Sequence, residues 1–419
     1  MDVNTYTKSR ELFERALKVV PAGVYGHQGP AEACFIPADA YPYFSTHAKG
    51  SHVWDVDGNE FIDFMCAYGP ISLGYCDDEV DGAAIEQIKK LNCATTPSGI
   101  MVDLAELMVE TVDMADWSFF AKNGNDATNY AVMVAKAATG RDKIILINGN
   151  YHGVSPWTQL YGYPGISQAD VSNNIYVDWN NFEQLEKVVS EHRGEIAGFI
   201  STPYYHPVFQ DNVLPAEGYW QKVRKLCTDN GIVLIVDDVR CGFRLDMKGS
   251  DHYFGFKADL SCFCKAIANG WNISAICGVD SLKDAAASVM FTGSYWLAAV
   301  PMAAAIACVS KMQRINAPVV MQGIGKKLTD GLVKAGAQHG FDLRVSGVPS
   351  MWYMRIANDD SLILHQEWVA ECVRRGIFFA NHHNQFVNCA ISDEDINKAL
   401  EVADEAFRIV KAAHPEIGR

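Results

Sequence analysis

Several features are scarce or missing in this 419-residue sequence, and each absence closes a route. No apolar run approaches the ~18 residues that a bilayer-crossing helix needs, so no membrane span is expected. The segment 1–18 is polar and charged and lacks the apolar core of a secretion signal, which makes the cytosol the expected compartment. Basic residues are the minority: 35 Lys and Arg stand against 50 Asp and Glu, a net charge of −15. So acidic a chain is not expected to bind nucleic acid or an anionic membrane, although one local pocket can still be positive. The 12 cysteines never form a CxxC pair. Cys262 and Cys264 would share a strand face but have no further ligands nearby, so no metal site is expected and free, buried thiols are the default. Nucleotide fingerprints are also missing. Gly23, Gly26 and Gly29 have the wrong spacing, Gly323-Ile324-Gly325 follows no strand, and no Walker A sequence occurs.

What is present is enough apolar residue, 49%, for a sizeable core, with only 20% charged. Residues 9–20 (SRELFERALKVV) put Leu12, Phe13, Ala16, Leu17 and Val20 on one face of a helix that Pro21 stops. Residues 53–64 (VWDVDGNEFIDF) read as a hairpin turning at Asp57-Gly58-Asn59. From about residue 85, helical patterns (126–139, 217–230) alternate with apolar runs at 117–122, 143–147, 197–201, 231–238 and 274–279. The Val- and Ile-rich runs read as strands buried on both faces of a parallel sheet, the signature of an α/β domain. From about residue 327, helices (327–339, 394–412) mix with short strands (342–346, 351–355) in a smaller α+β region.

Four stretches could carry chemistry. The run at 231–238 ends in Asp237-Asp238, where α/β sheets place ligands. Asp237 could face a cation such as a pyridinium nitrogen, or either acid could cap a helix or pair with Arg240 or Arg244. Lys265 directly follows a short apolar run, about one βαβ step on. If buried, its amine would be a nucleophile suited to Schiff-base chemistry; otherwise it is an exposed lysine at a strand end. Asn123-Gly124-Asn125 precedes a helix beginning near Asp126, an arrangement that offers free N–H groups to an anion or serves only as a cap. Tyr151, followed by His152, could stack on a flat ring or simply pack. Together the four supply a phosphate cradle, a stacking aromatic, an acid for a ring nitrogen and a Schiff-base lysine. That is the set pyridoxal phosphate requires.

From about Ser9 to Lys411 the sequence resembles the class III aminotransferases of fold type I, near the glutamate-1-semialdehyde aminomutase branch. The stretches that carry the resemblance are ELFERALKVVPAGV, KGSHVWDVDGNEFIDF, NGNDAT, GRDKII, YHG, VDDVRCGFR and ADLSCFCKAIANG. It implies a large domain (66–325) with a mostly parallel central sheet. A smaller α+β domain would be built from both termini, with 1–65 contributing to it and to a dimer and 326–419 completing it. Lys265 matches the Schiff-base lysine, Asp237 the pyridinium partner, and Tyr151 the ring-stacking aromatic. Asn123, Gly124, Asn125, Asp126 and His152 fall in the cofactor-binding stretches, with Asp126 standing where the family has Glu. Thr292 and Ser294, in FTGSYW, resemble the segment that reaches the phosphate of a neighbouring subunit, so the resemblance implies a homodimer with shared sites.

The departures bear on substrate. Gly26 and Gly29 stand where the aminomutase has a Ser and an Arg, and the stretch FFANHHNQFVN has no acid where it has a Glu. Thr202-Pro203 replaces the usual Glu-Pro. VYGH, FMCAYGP, YHGVSPW, TGSYWLAAVPMAAAI and HHNQF are instead similar to amine transaminases of the aminopentol (hydrolysed fumonisin) type. The expected activity is therefore transfer of an amino group from a bulky or long-chain primary amine to a 2-oxo acid such as pyruvate. The alternatives are a 2,1-aminomutase and a racemase on the same cofactor. Tyr25, His27, Trp54, Tyr68, Arg240, Trp296 and His383 are the candidate substrate-pocket residues, with Arg240 the nearest cation for an acceptor carboxylate unless it pairs with Asp238.

Overall fold

A computed structural model describes residues 3–24 and 35–416. They group into two compact units: Met1–Asp77 with Val208–Asn212 and Val319–Arg419, and Asp78–Pro207 with Val213–Pro318. The sequence reading put its divisions at 65/66 and 325/326 and gave no sign of the short 208–212 segment.

The first unit opens with a helix, Thr7–Ala16. It stops earlier than the apolar spacing predicts, because Val19-Val20 precedes Pro21 and the residue before a proline is steered away from helical geometry. Strands β1 (Ser45–Lys49), β2 (His52–Asp55) and β3 (Glu60–Asp63) form an antiparallel meander. The predicted hairpin is there, with Val53 opposite Phe61 and Trp54 opposite Glu60. Its turn residue Asp57 also caps the first helix. One carboxylate oxygen accepts the Lys8 N–H at 2.7 Å, and the other accepts the Ser9 N–H at 2.8 Å and the Ser9 hydroxyl at 2.6 Å.

The chain then builds the second unit through β4 (Trp117–Ala121), β5 (Lys143–Ile147), β6 (Asn174–Val177), β7 (Ile196–Ser201), β8 (Val233–Asp237), β9 (Leu260–Phe263) and β10 (Ser274–Gly278). Among the described residues they make one sheet in the order β4-β10-β9-β8-β7-β5-β6. Strands β6, β5, β7, β8 and β9 run parallel, whereas β10 is antiparallel to both neighbours. Only residues 264–273 separate β9 from β10, too few for a crossover helix, so the chain must turn straight back. Two reversals give β4 the direction of β9. The C-terminal ends of β4, β5, β7, β8 and β9 therefore share one rim. Every strand expected here from the sequence is present; β6 was not foreseen, because its four residues, Asn-Ile-Tyr-Val, are too short and mixed to stand out. The helix Gly124–Thr139 packs Tyr130, Ala131, Val134 and Ala135 into the core with Ile144, Ile200, Ile235, Leu260 and Ile276.

Back in the first unit, β11 (Leu343–Val348), β12 (Met351–Ile356) and β14 (Gln385–Phe386) form an antiparallel sheet, and β13 (Ile377–Phe378) joins β3 in parallel. The last helix, Asp393–Ala413, begins on a Ser392 cap that accepts the Asp395 N–H at 3.1 Å.

The Asp57 cap generates a stability prediction. Partial desolvation pushes this carboxyl up, but the Ser9 hydroxyl and the Lys8 and Ser9 N–H groups outweigh it and hold it below its ordinary value. The stabilisation is therefore full above the ordinary aspartate range and fades as pH falls through the folded value. Asp57→Ala is expected to weaken the first helix by about 1 kcal/mol. Amide exchange over residues 8–13 would then speed up several-fold at pH 7 and differ little from wild type near pH 3; equal rates at both pH values would refute the cap.

Candidate active site

Of the sequence-predicted residues in the second unit, Asp237, Lys265, Tyr151, His152, Arg240 and the 123–126 loop follow strand ends on the shared rim. Asp237 is the last residue of β8, and its side chain is buried at 4% exposure. A buried carboxylate needs donors. The Nδ1–H of His152, beyond the end of β5, donates to its Oδ2 at 2.7 Å, and the Val239 N–H donates to Oδ1 at 3.2 Å. The alternative pairing of Asp237 or Asp238 with Arg240 is not what is found. Asp238 accepts the Ser250 N–H at 2.9 Å and the Ser250 hydroxyl. Desolvation raises the Asp238 carboxyl to about 7 against those bonds.

Lys265 begins a short 3-10 turn immediately after Cys264, at a left-handed φ of 45°. A non-glycine residue held there is strained, and such strain concentrates at functional positions. Cys264 ties the turn down: its thiol donates to the Ile273 carbonyl at 3.3 Å. Burial, reinforced by the nearby Arg240 charge, lowers the Lys265 amine to about 7. Half of it is then neutral at physiological pH, which makes it a competent nucleophile.

The loop Asn123-Gly124-Asn125 leads from β4 into the helix Gly124–Thr139. Asp126 serves this loop: its Oδ2 accepts the N–H groups of Asn123 at 2.9 Å and Lys122 at 3.2 Å. Asn125 Oδ1 accepts the N–H groups of Val154 at 2.8 Å and Ser155 at 2.9 Å, joining the loop to the His152 segment. Gly153, between them, sits at φ 120°, and a Cβ there would lie 2.4 Å from Asn125 Oδ1. A Cβ on Gly124 would lie 2.7 Å from a Val239 methyl, so this loop and the β8 end are in close contact. Tyr151 is 57% exposed, and its phenol feels the charges of Arg240 and Asp237.

The other candidates stand apart. Thr292 and Ser294 have no described contact to Asp237 or Lys265. Their segment is anchored by Phe291 and Trp296, whose rings lie 4.6 Å apart, with Phe291 stacked on Tyr130 and Trp296 edge-on to Phe119. In the first unit, Trp54 stacks on His47 at 4.6 Å. Tyr68 meets His383 edge-to-face at 5.3 Å. Tyr68 ends a left-handed run, Cys66-Ala67-Tyr68; the Cys66 and Ala67 N–H groups act on the buried Asp63 carboxylate, which accepts the Met65 N–H at 2.7 Å. Tyr25 and His27 lie outside the described residues. The sequence reading missed His206, which accepts from Arg240, and Cys264, which fixes the lysine turn; a lone His and a lone Cys in loops carry no spacing signal.

This donor set fits pyridoxal phosphate: a buried amine of lowered basicity, a buried carboxylate oriented by a histidine, and a polar loop at a helix N-terminus, all on one rim of an α/β sheet. The class so defined is the fold type I pyridoxal-phosphate-dependent transferases. The chain belongs to the class-III aminotransferase family, which it matches over residues 36–407. It is 38% identical over 404 residues to an aminopentol aminotransferase of Sphingopyxis macrogoltabida, covering 96% of this chain and 94% of that one. It is 32% identical over 410 residues to a 3-aminobutyryl-CoA aminotransferase of Cloacimonas acidaminovorans (strain Evry), covering 96% and 97%. Among solved structures it resembles the PLP-containing FumI protein of Sphingopyxis sp. MTA144, with a TM-score of 0.94 and 37% identity over 98% of each chain. It is a pyridoxal-phosphate-dependent aminotransferase.

The lowered Lys265 basicity predicts how the apoprotein captures the cofactor. Only the unprotonated amine attacks an aldehyde. The capture rate, followed by visible absorbance, is expected to rise with pH through a midpoint near 7. A midpoint near the ordinary lysine value of about 10 would count against a buried amine.

Proposed function

We propose that the protein is a homodimeric amine transaminase that moves the amino group of a bulky or long-chain primary amine to a 2-oxo acid such as pyruvate. The observation that carries this reading is the Lys265–Asp237 rim in a chain so similar to an aminopentol aminotransferase. Pyridoxal phosphate, when bound, supplies an aldehyde to link to amines and a protonated ring that withdraws electrons from the neighbouring carbon. Lys265 Nζ would hold the cofactor and would serve as the base that moves the proton of the donor carbon. Asp237, oriented by the His152 N–H, would hold the ring nitrogen. The Asn123-Gly124-Asn125 loop would hold the phosphate and Tyr151 would cover the ring. Thr292 and Ser294, anchored away from this chain's own lysine, suit a contact with the partner subunit's phosphate.

The aromatic residue types at the candidate positions Tyr68, His383, Trp54 and Trp296 suit an apolar amine better than a small diacid. This chain lacks, in FFANHHNQFVN, the acid that the 2,1-aminomutases have there, and no observation favours a racemase. Among the described residues no helix is long and apolar enough to cross a membrane, and the described cysteines are free thiols, which suits work in the reducing cytosol.

The test is the visible spectrum of the cofactor-loaded protein before and after L-alanine. Conversion of the yellow band to the pyridoxamine form, reversed by pyruvate, is expected. An aminomutase would instead turn over its own substrate without any acceptor, and a racemase would invert its substrate and keep the amine. Lys265→Ala is expected to remain a folded dimer by gel filtration and to lose at least about 10³-fold in turnover. Full activity in that variant would overturn the assignment.

A further inference from the structure

Arg240 lies three residues beyond the last residue of β8 and is partly buried, and desolvation disfavours its charge. No carboxylate of the described residues pairs with it. Asp237 is held by His152, and Asp238 by Ser250. The guanidinium uses a single nitrogen, Nη1, which donates at 3.2 Å to the His206 carbonyl and at 3.2 Å to His206 Nδ1. A buried cation with only neutral acceptors is costly unless an anion completes it.

His206 makes the same point from the other side. It follows β7, in Tyr204-Tyr205-His206-Pro207, and is 8% exposed. Arginine can only donate, so His206 Nδ1 must accept and the ring proton must sit on Nε2. Burial and the Arg240 charge both disfavour a second proton. Nε2–H is therefore a donor, buried, with no partner among the described residues. Arg240, only partly buried, makes no hydrogen bond to a described residue through Nε or Nη2. The charge of Arg240 acts on Lys265 and on Tyr151, so these unsatisfied donors lie beside the reacting amine.

A planar anion with two acceptor oxygens is the chemistry that would satisfy them. We infer that Arg240 and His206 together form the subsite for the carboxylate of the 2-oxo acid, Arg240 as the charged donor and His206 as the residue that positions it and adds an Nε2–H. This deepens the transaminase reading of the same site. It also accounts for how one pocket serves a long-chain amine with no carboxylate. When the amine is bound, the guanidinium keeps its two bonds to His206 and is never left wholly unpaired.

The test uses the cofactor-loaded protein and a carboxylate that cannot react, propionate, titrated against chloride at constant ionic strength and read from the visible band. Arg240→Gln is expected to weaken propionate binding and raise the half-saturating pyruvate concentration by at least about tenfold, a larger loss than in the amine half-reaction, which feels Arg240 through the basicity of Lys265. Arg240→Lys, which keeps the charge but not the fork, should recover part of the loss. His206→Gln, whose amide can replace one acceptor, should weaken both by about threefold. Unchanged propionate affinity in Arg240→Gln would overturn the inference. So would an equal loss in both half-reactions, or a loss confined to cofactor affinity, which would assign the guanidinium to the cofactor. If the wild type accepts no 2-oxo acid, the transaminase reading fails while propionate binding still reports on the subsite. If Arg240→Gln does not fold, Arg240→Lys and His206→Gln carry the same comparison.

Discussion

The site depends on keeping one carboxylate out of water. Asp237 ends a strand in the middle of the sheet, where nothing solvates it, and a carboxylate so placed survives only with fixed donors and neighbouring positive charge. His152 supplies the donor; Lys265 and Arg240 supply the charge. The same crowding lowers the basicity of the lysine, since a second cation nearby and a dry surround both disfavour its proton. The chain is strongly acidic as a whole, yet its rim carries two cationic side chains around one carboxylate. Net charge describes the surface; the local charge of a rim is set by a few residues at strand ends.

The parts of the fold legible in the sequence were those with a simple period or strong punctuation. The β2–β3 hairpin was legible because Asp57-Gly58-Asn59 permits few other conformations. Strands β5, β7 and β8 were legible because a sheet buried on both faces demands continuous apolar runs. Lys265 and Asp237 stood out because a lysine behind an apolar run and acids at a strand end are both unusual. Three things were not legible. The antiparallel sense of β10 follows from loop length and not from composition. Asp126 read as a cofactor contact, but its carboxylate is engaged with the N–H groups of its own loop. His206 meets Arg240 only because β7 and β8 are neighbours, a relation no local pattern encodes.

Two left-handed stretches, at Lys265 and at Cys66-Ala67-Tyr68, mark places where the backbone is held away from its preferred geometry. In each case the restraint is visible. Cys264 bonds to the Ile273 carbonyl, and Asp63 draws the N–H groups of Met65, Cys66 and Ala67. Strain of this kind fixes a side chain's direction more narrowly than an ordinary loop would, which a proton-transferring amine requires.

The turn between β9 and β10 has a further consequence. In most of this sheet the segment beyond a strand's C-terminal end is a loop free to lengthen, but Lys265 lies in a ten-residue link, 264–273, clamped between two paired strands. Insertions there would break the pairing on both sides. Loops after β5 and β7 carry no such penalty. Over evolutionary time the nucleophile is thus insulated from the variation that reshapes the pocket, so descendants of this scaffold can exchange one amine for another without rediscovering the chemistry.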